Sequence, residues 1–275
     1  MTRLPAIGGD DGNWGSILND FLKAEHKEDG THDKVTANDI ISKGPWIDVR
    51  AFGAKGDGIA NDTKPIQDAL DLGNSILVPK GIYKVDGLLI KRDNTHIFGI
   101  GRPVLQASMN LMRTISTNDY NDCIIENLIL IGKGEDSVGG QYTSSGRGQI
   151  HISNQSVRCI IKNNKILNAS GSGIVDDGRE SKVINNHIEN TAEHGIYMSS
   201  SLYAVVSGNL IKGVGTIGSF IDYLSGIKID GASYCAISNN IITGANQALT
   251  ITGPAFRNTI TGNVIKDSMR EDIYF

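Results

Sequence analysis

The segment Ile161-Lys162-Asn163-Asn164-Lys165-Ile166 returns four times further along the chain. Its copies are Val183-Ile184-Asn185-Asn186-His187-Ile188, Val206-Ser207-Gly208-Asn209-Leu210-Ile211, Ile237-Ser238-Asn239-Asn240-Ile241-Ile242 and Ile260-Thr261-Gly262-Asn263-Val264-Ile265. Asn164, Asn186, Asn209, Asn240 and Asn263 are separated by 22, 23, 31 and 23 residues. A looser copy stands earlier, at Asn127-Leu128-Ile129. A second phrase accompanies the first: Gln149-Ile150-His151-Ile152, Gly173-Ile174-Val175-Asp176, Gly195-Ile196-Tyr197-Met198, Gly226-Ile227-Lys228-Ile229, Ala248-Leu249-Thr250-Ile251 and Asp272-Ile273-Tyr274-Phe275. Apolar and variable positions alternate in it, the period of a strand with one buried face.

Each period holds two or three strands too short to bury a face alone. Stacking one period on the next pairs every strand in parallel with its copy and buries a continuous Ile/Val column. The recurring asparagine is expected at a sharp corner, because Asn tolerates the left-handed region. Stacked asparagine amides can also hydrogen-bond along the axis. The reading is all-β, a right-handed parallel β-helix. A leucine-rich horseshoe lacks its Leu framework here, and a propeller needs about 40 residues per blade.

The composition agrees. The 275 residues include 33 glycines, and only 6% are aromatic. That suits many turns and small β-branched core residues. A net charge of −4 argues against nucleic acid as a partner. No apolar run approaches the roughly 18 residues of a membrane helix, and the N-terminus carries no apolar signal-peptide core. Cys123, Cys159 and Cys235 have no metal-type spacing and read as core thiols. Neither a metal site nor a cofactor is expected.

Two steps of the repeat are long, and the excess falls in 132–148 and 214–225. Both extras precede the same second-phrase strand, so they are expected to wall a groove on one face.

Upstream, Val49-Arg50-Ala51-Phe52-Gly53-Ala54-Lys55-Gly56-Asp57-Gly58 leads into Asn61-Asp62-Thr63-Lys64-Pro65-Ile66-Gln67-Asp68-Ala69-Leu70. The second stretch reads as a helix, with Asp62 or Asn61 as its cap and Ile66, Ala69 and Leu70 on its apolar stripe. The glycine-rich loop lacks the Gly-Lys-Ser/Thr of a phosphate loop. With Leu77-Val78-Pro79-Lys80-Gly81-Ile82-Tyr83-Lys84-Val85, this opening resembles that of the pectate-lyase-like superfamily, including its polygalacturonase-related and phage tailspike branches. The resemblance covers about 47–275. It implies a β-helix whose first coil is closed by the helix, which shields unpaired strand edges.

Residues 1–46 form a separate N-terminal extension. Trp14, Ile17, Leu18, Phe21 and Leu22 fall on one helical face. The segment is similar to leaders ahead of β-helices in phage-type tail proteins, which implies an attachment or trimerisation arm. A helix folded against the first coils is the other reading. The chain stops inside a second-phrase strand, so a fragment of a longer protein is expected.

The variable positions of the second phrase should stack into outward rows. One row is His151, Val175, Tyr197, Lys228 and Thr250; the next is Ser153, Asp177, Ser199, Asp230 and Thr252. At about 4.8 Å per winding, Asp177 and Asp230 should stand roughly 9–10 Å apart, at the upper edge for an inverting acid–base carboxylate pair. These two are the candidate catalytic residues. His194, Tyr197, Lys228 and His151 are the candidate substrate-binding residues. Asp176 points inward by strict alternation, and a buried carboxylate is costly, so it is expected to turn toward the surface.

The resemblance does not carry polygalacturonase activity. Glu193-His194-Gly195 is similar to that family's histidine motif, and Lys228 and Asp230 fall where its arginine and lysine would be. Its catalytic aspartates would align with Gly148 and Gly171-Ser172, where no carboxylate stands. The Asp-Pro-His-Glu motif of mannuronan epimerases and the calcium cluster of pectate lyases are also missing. The function expected is binding and cleavage of an extended polysaccharide, glycoside hydrolase-like, in a phage or prophage tailspike-type module. Its alternatives are a non-catalytic adhesive shaft and a polysaccharide lyase. The expected setting is extracellular or virion-associated, with a homotrimer as the assembly, and without nucleic acid or membrane as partner.

Overall fold

The computed structural model describes residues 46–108, 113–134, 148–215 and 224–275. Residues 1–45, all but the last of the expected N-terminal extension 1–46, and the centres of the two insertions, 135–147 and 216–223, lie outside the described residues.

Among the described residues three parallel sheets hold nine, nine and eight strands, and every winding after the first adds one short strand to each. The first sheet runs from Ile47–Asp48 to Thr259–Thr261, the second from Asp57–Asn61 to Val264–Lys266, the third from Leu88–Leu89 to Ile273–Tyr274. The architecture is a right-handed parallel β-helix. Register follows the repeat. Ile161 pairs with Val183, then Val206, Ile237 and Ile260. Ile166 pairs with Ile188, then Ile211, Ile242 and Ile265. The first four members of both columns are fully buried, and each such side chain contributes about 1.5–3 kcal/mol.

The corner differs from expectation in one respect. The left-handed residue is the one before each ladder asparagine: Asn163, Asn185, Gly208, Asn239 and Gly262 all have φ between 55° and 69°. The ladder asparagines instead turn inward and bond one another. The Asn186 backbone N–H and Nδ2 donate to Asn209 Oδ1 at 2.9 and 3.1 Å, while Nδ2 also donates to the Ile161 carbonyl at 2.9 Å. The same pattern links Asn164 to Asn186, Asn209 to Asn240 and Asn240 to Asn263. Each buried amide thereby satisfies backbone groups that a corner would otherwise leave unpaired. In the loose copy Leu128, not Asn127, takes the ladder position, donating its N–H to Asn164 Oδ1 at 3.1 Å.

The glycine that opens the second phrase answers to close packing. A Cβ at Gly173, Gly195 or Gly226 would lie 2.4–2.5 Å from the Cγ2 of Ile188, Ile211 or Ile242. The second sheet's isoleucine column therefore comes up against the backbone of the third.

Helix α1 (Thr63–Leu72) buries Ile66, Ala69 and Leu70. Asn61 Oδ1 accepts from the Thr63 N–H at 3.0 Å, giving the helix its start. Asp62 stands at the cap position but does not cap with its side chain. Its buried carboxylate accepts from the Lys55 and Gly56 N–H groups at 2.7 and 3.0 Å. Those loop amides are spent on the chain's own carboxylate, which is why the glycine loop cannot cradle a phosphate. The three cysteines are buried and free.

Asp176 does not turn to the surface. It follows Ile152 and precedes Met198 in an inner column of the third sheet and is fully buried. Its carboxylate accepts from the Gly178 N–H at 3.0 Å and from the Ser181 hydroxyl. Desolvation, partly offset by these bonds, pushes its pKa up to about 6. Two local donors make burial tolerable where alternation alone would forbid it.

Candidate functional site

The strands of the third sheet carry His151, Tyr197, Lys228 and Asp230, while Asp177 follows one strand directly and His194 stands two residues before another. Register puts Ser116, His151, Val175, Tyr197, Lys228 and Thr250 in one row. The row is not evenly open to solvent. His151, Val175 and Thr250 are buried, whereas Tyr197 and Lys228 are half-buried. In the next row Ser199 pairs with Asp230, and Asp177 directly follows the Asp176–Met198 pair. Asp177, Ser199 and Asp230 thus belong to consecutive windings. Two steps of about 4.8 Å separate the backbone positions of Asp177 and Asp230 along the axis.

Four successive windings of this sheet bound a half-open cavity of about 450 Å³. Arg113, Ser116, His151, Ser153, Asp177 and Ser199 line it, and the turn residues around them are also polar. His151 sits between two partners. Its Nε2 lies 3.0 Å from Asp177 Oδ2, and its Nδ1 lies 3.3 Å from Ser116 Oγ. The His151 and Asp177 side chains are only 4% and 12% exposed. Asp177 Oδ1 is buried and has no hydrogen-bond partner among the described residues. A desolvated carboxylate oxygen left unpaired is costly, and a ligand hydroxyl is the kind of group that would satisfy it.

Asp230 heads a second cluster beside the cavity. The Tyr197 hydroxyl donates to Asp230 Oδ2 at 2.8 Å. Burial, reinforced by Asp230, pushes the tyrosine pKa up to about 12. Lys228 Nζ lies 5.5 Å from the Tyr197 ring centre, and the His194 ring lies 5.2 Å from it. His194 Nδ1 accepts from the Ser225 N–H at 2.9 Å. Burial, with Lys228 adding to it, lowers the His194 pKa to about 3. Near neutral pH this cluster therefore offers a protonated phenol and a neutral, weakly basic imidazole. Such groups suit hydrogen bonding to a ligand better than proton abstraction. The six residues thus divide in two: Asp177 and His151 in the cavity, Asp230, Tyr197, Lys228 and His194 alongside it.

Residues 46–270 match the family described as rhamnogalacturonase A/epimerase, pectate lyase-like. The chain belongs to that family. Beyond this family match, it is 28% identical over 169 residues to the capsule KN3-specific depolymerase 1 of Klebsiella phage KN3-1, covering 52% of this chain and 21% of that protein. Among solved structures it is similar to the pre-mature gene product 12 of bacteriophage phi29, with a TM-score of 0.73 and 19% identity over 83% of this chain and 34% of that one. It is also similar to the exopolygalacturonase of Thermotoga maritima, with a TM-score of 0.60 and 12% identity over 84% of this chain and 70% of that one. At these identities the two structures share the fold. The chain spans about a fifth of the length of the depolymerase it resembles.

Within this family member, sequence reasoning missed Ser116 and Arg113. Their winding carries neither the ladder asparagine nor the glycine-led phrase. Only the alternation in Thr114-Ile115-Ser116 marked it as a copy, with Ile115 aligned on Ile150. Among the described residues no cluster of three or more His, Cys, Asp or Glu side chains could hold a metal ion, and no helix is long and apolar enough to cross a membrane.

Proposed function

We propose that this chain binds an extended polysaccharide along its third sheet and cleaves it there. Asp177 and Asp230 serve as the acid–base pair, one protonating the leaving oxygen and the other activating water. His151, His194, Tyr197 and Lys228 bind sugar hydroxyls or carboxylates. The observation that carries this reading is the polar cavity of about 450 Å³ around Asp177, whose Oδ1 is buried without a partner. A cleft whose lining residues all carry polar side chains offers the hydrogen bonds that sugar hydroxyls need. The likeness to a capsule-specific phage depolymerase supports the same substrate class. The setting we propose is an extracellular or virion-associated spike, assembled as a homotrimer, with residues 1–46 as its arm.

The test is the double variant Asp177→Asn/Asp230→Asn against a panel of capsular and plant polysaccharides. Reducing-end release is measured together with the ultraviolet absorbance of unsaturated products. Cleavage by the wild type and its loss in the variant support the assignment. Unchanged cleavage in the variant removes it, and a wild type that binds without cleaving favours an adhesive shaft.

A further inference from the structure

We propose that Ser116, His151 and Asp177 form a nucleophile–base–carboxylate relay that removes short acyl groups esterified to sugar hydroxyls. The three side chains come from successive windings of the third sheet, so the parallel ladder itself fixes their spacing. The relay assigns the hydrogen bonds one direction. The Asn118 N–H donates to Ser116 Oγ at 3.3 Å, which leaves the serine's own proton for His151 Nδ1, also at 3.3 Å. Asp177 Oδ2, 3.0 Å from Nε2, holds the ring proton on that nitrogen and keeps Nδ1 free to act as a base. Such contacts are commonly long before substrate binds.

The surroundings select the substrate. Ser116 is buried at the cavity floor and lines the same polar space as His151 and Asp177. That space takes a sugar unit with a small acyl group, and its polar walls disfavour a long lipid chain. Asn118 and Asn154 also line the space, and a side-chain amide is the type of group that stabilises an oxyanion.

The reaction balances with water as the only co-reactant. Ser116 Oγ attacks the acyl carbon while its proton passes to His151 Nδ1. The sugar oxygen leaves with that proton, giving an acyl-serine and a free hydroxyl. Water then attacks the acyl carbon, His151 takes its proton and returns it to Ser116, and a carboxylic acid departs. The choice of a polysaccharide as the alcohol part rests on the function proposed above; the ester chemistry does not.

The experiment uses the full chain with two probes, p-nitrophenyl acetate and acetylated xylan, and measures released nitrophenol and acetate. A fluorophosphonate reagent is added in parallel and its adduct is located by peptide mass spectrometry. The expected result is ester cleavage by the wild type, an adduct on Ser116, and a drop of about a thousandfold or more in Ser116→Ala and His151→Gln. Ser116→Cys keeps the size and moves labelling to a thiol reagent at the same position. No ester cleavage, an adduct at another residue, or activity retained in Ser116→Ala overturns the proposal. Should the alanine variant not fold, the wild-type adduct and the cysteine variant still decide. Asp177 serves both readings, so they are told apart in the Ser116→Ala variant, where acetate release reads ester cleavage and reducing-end release reads chain cleavage.

Discussion

Asp176 occupies the place in an inner column of the third sheet that Ile152 holds one winding earlier and Met198 one winding later. A carboxylic acid thus stands in a row of apolar side chains, bonded to Gly178 and Ser181. Burial raises its folded pKa to about 6 from the usual 3.8 of a free aspartate. The unfolded chain therefore releases this proton first as pH rises. Stability is unaffected below about pH 4, falls between the two values, and carries a constant penalty of about 3 kcal/mol above them. Asp176→Asn should recover most of that penalty at pH 8 and almost none at pH 4. Urea unfolding at the two pH values checks this; equal effects at both would contradict it.

His194 has the opposite sign. Its folded pKa is lowered to about 3 by burial, below the 6.5 of the unfolded chain. The unfolded state takes up the proton first, so stability is complete above about pH 7 and is lost as pH falls. The loss amounts to about 2 kcal/mol by pH 5. His194→Gln should flatten the acid side of the stability profile, measured by urea unfolding between pH 7 and pH 5. An unchanged slope would show that His194 does not drive it.

The asparagine ladder should be far more sensitive than the corner beside it. Asn209 accepts from Asn186 and donates to the Val183 carbonyl and to Asn240, all within the buried interior. Asn209→Ala leaves several of these groups unpaired and should cost about 2–4 kcal/mol. Asn185 is exposed and only supplies a left-handed φ of 55°. Asn185→Gly should change stability by less than about 1 kcal/mol. Guanidinium unfolding of the two variants compares them directly. Equal costs would mean that the ladder bonds contribute little.

Tyr197→Phe removes the hydroxyl that bonds Asp230 at 2.8 Å and leaves the ring under Lys228. Loss of a hydrogen bond to a carboxylate should lower kcat/KM on the cleaved polysaccharide about tenfold or more. The melting temperature should shift little. A wild-type rate in this variant would separate Asp230 from the reaction.

The windings, their register and the capping helix were legible because burial repeats at a fixed interval. Ile161, Val183 and Val206 announce one column whatever surrounds them. The ladder was legible too, but its corner partner was not. Asn163 and Asn164 are the same residue type doing different work, one turning the chain and one bonding inward. Asp176 was misjudged because its cost is cancelled by Gly178 and Ser181, contacts that alternation cannot foresee. The site was half legible. The rows containing Asp177, Tyr197 and Asp230 followed from register alone. The bond from His151 to Asp177 and the arrival of Ser116 from a winding without the repeat motif depended on side-chain geometry.

The most direct test of the proposed carboxylate pair is the anomeric configuration of the first product, followed by proton NMR during cleavage of a defined oligosaccharide. A spacing of about 9–10 Å leaves room for a water between Asp177, Asp230 and the sugar, so the configuration should invert. Retention, or an unsaturated product, would contradict the assignment.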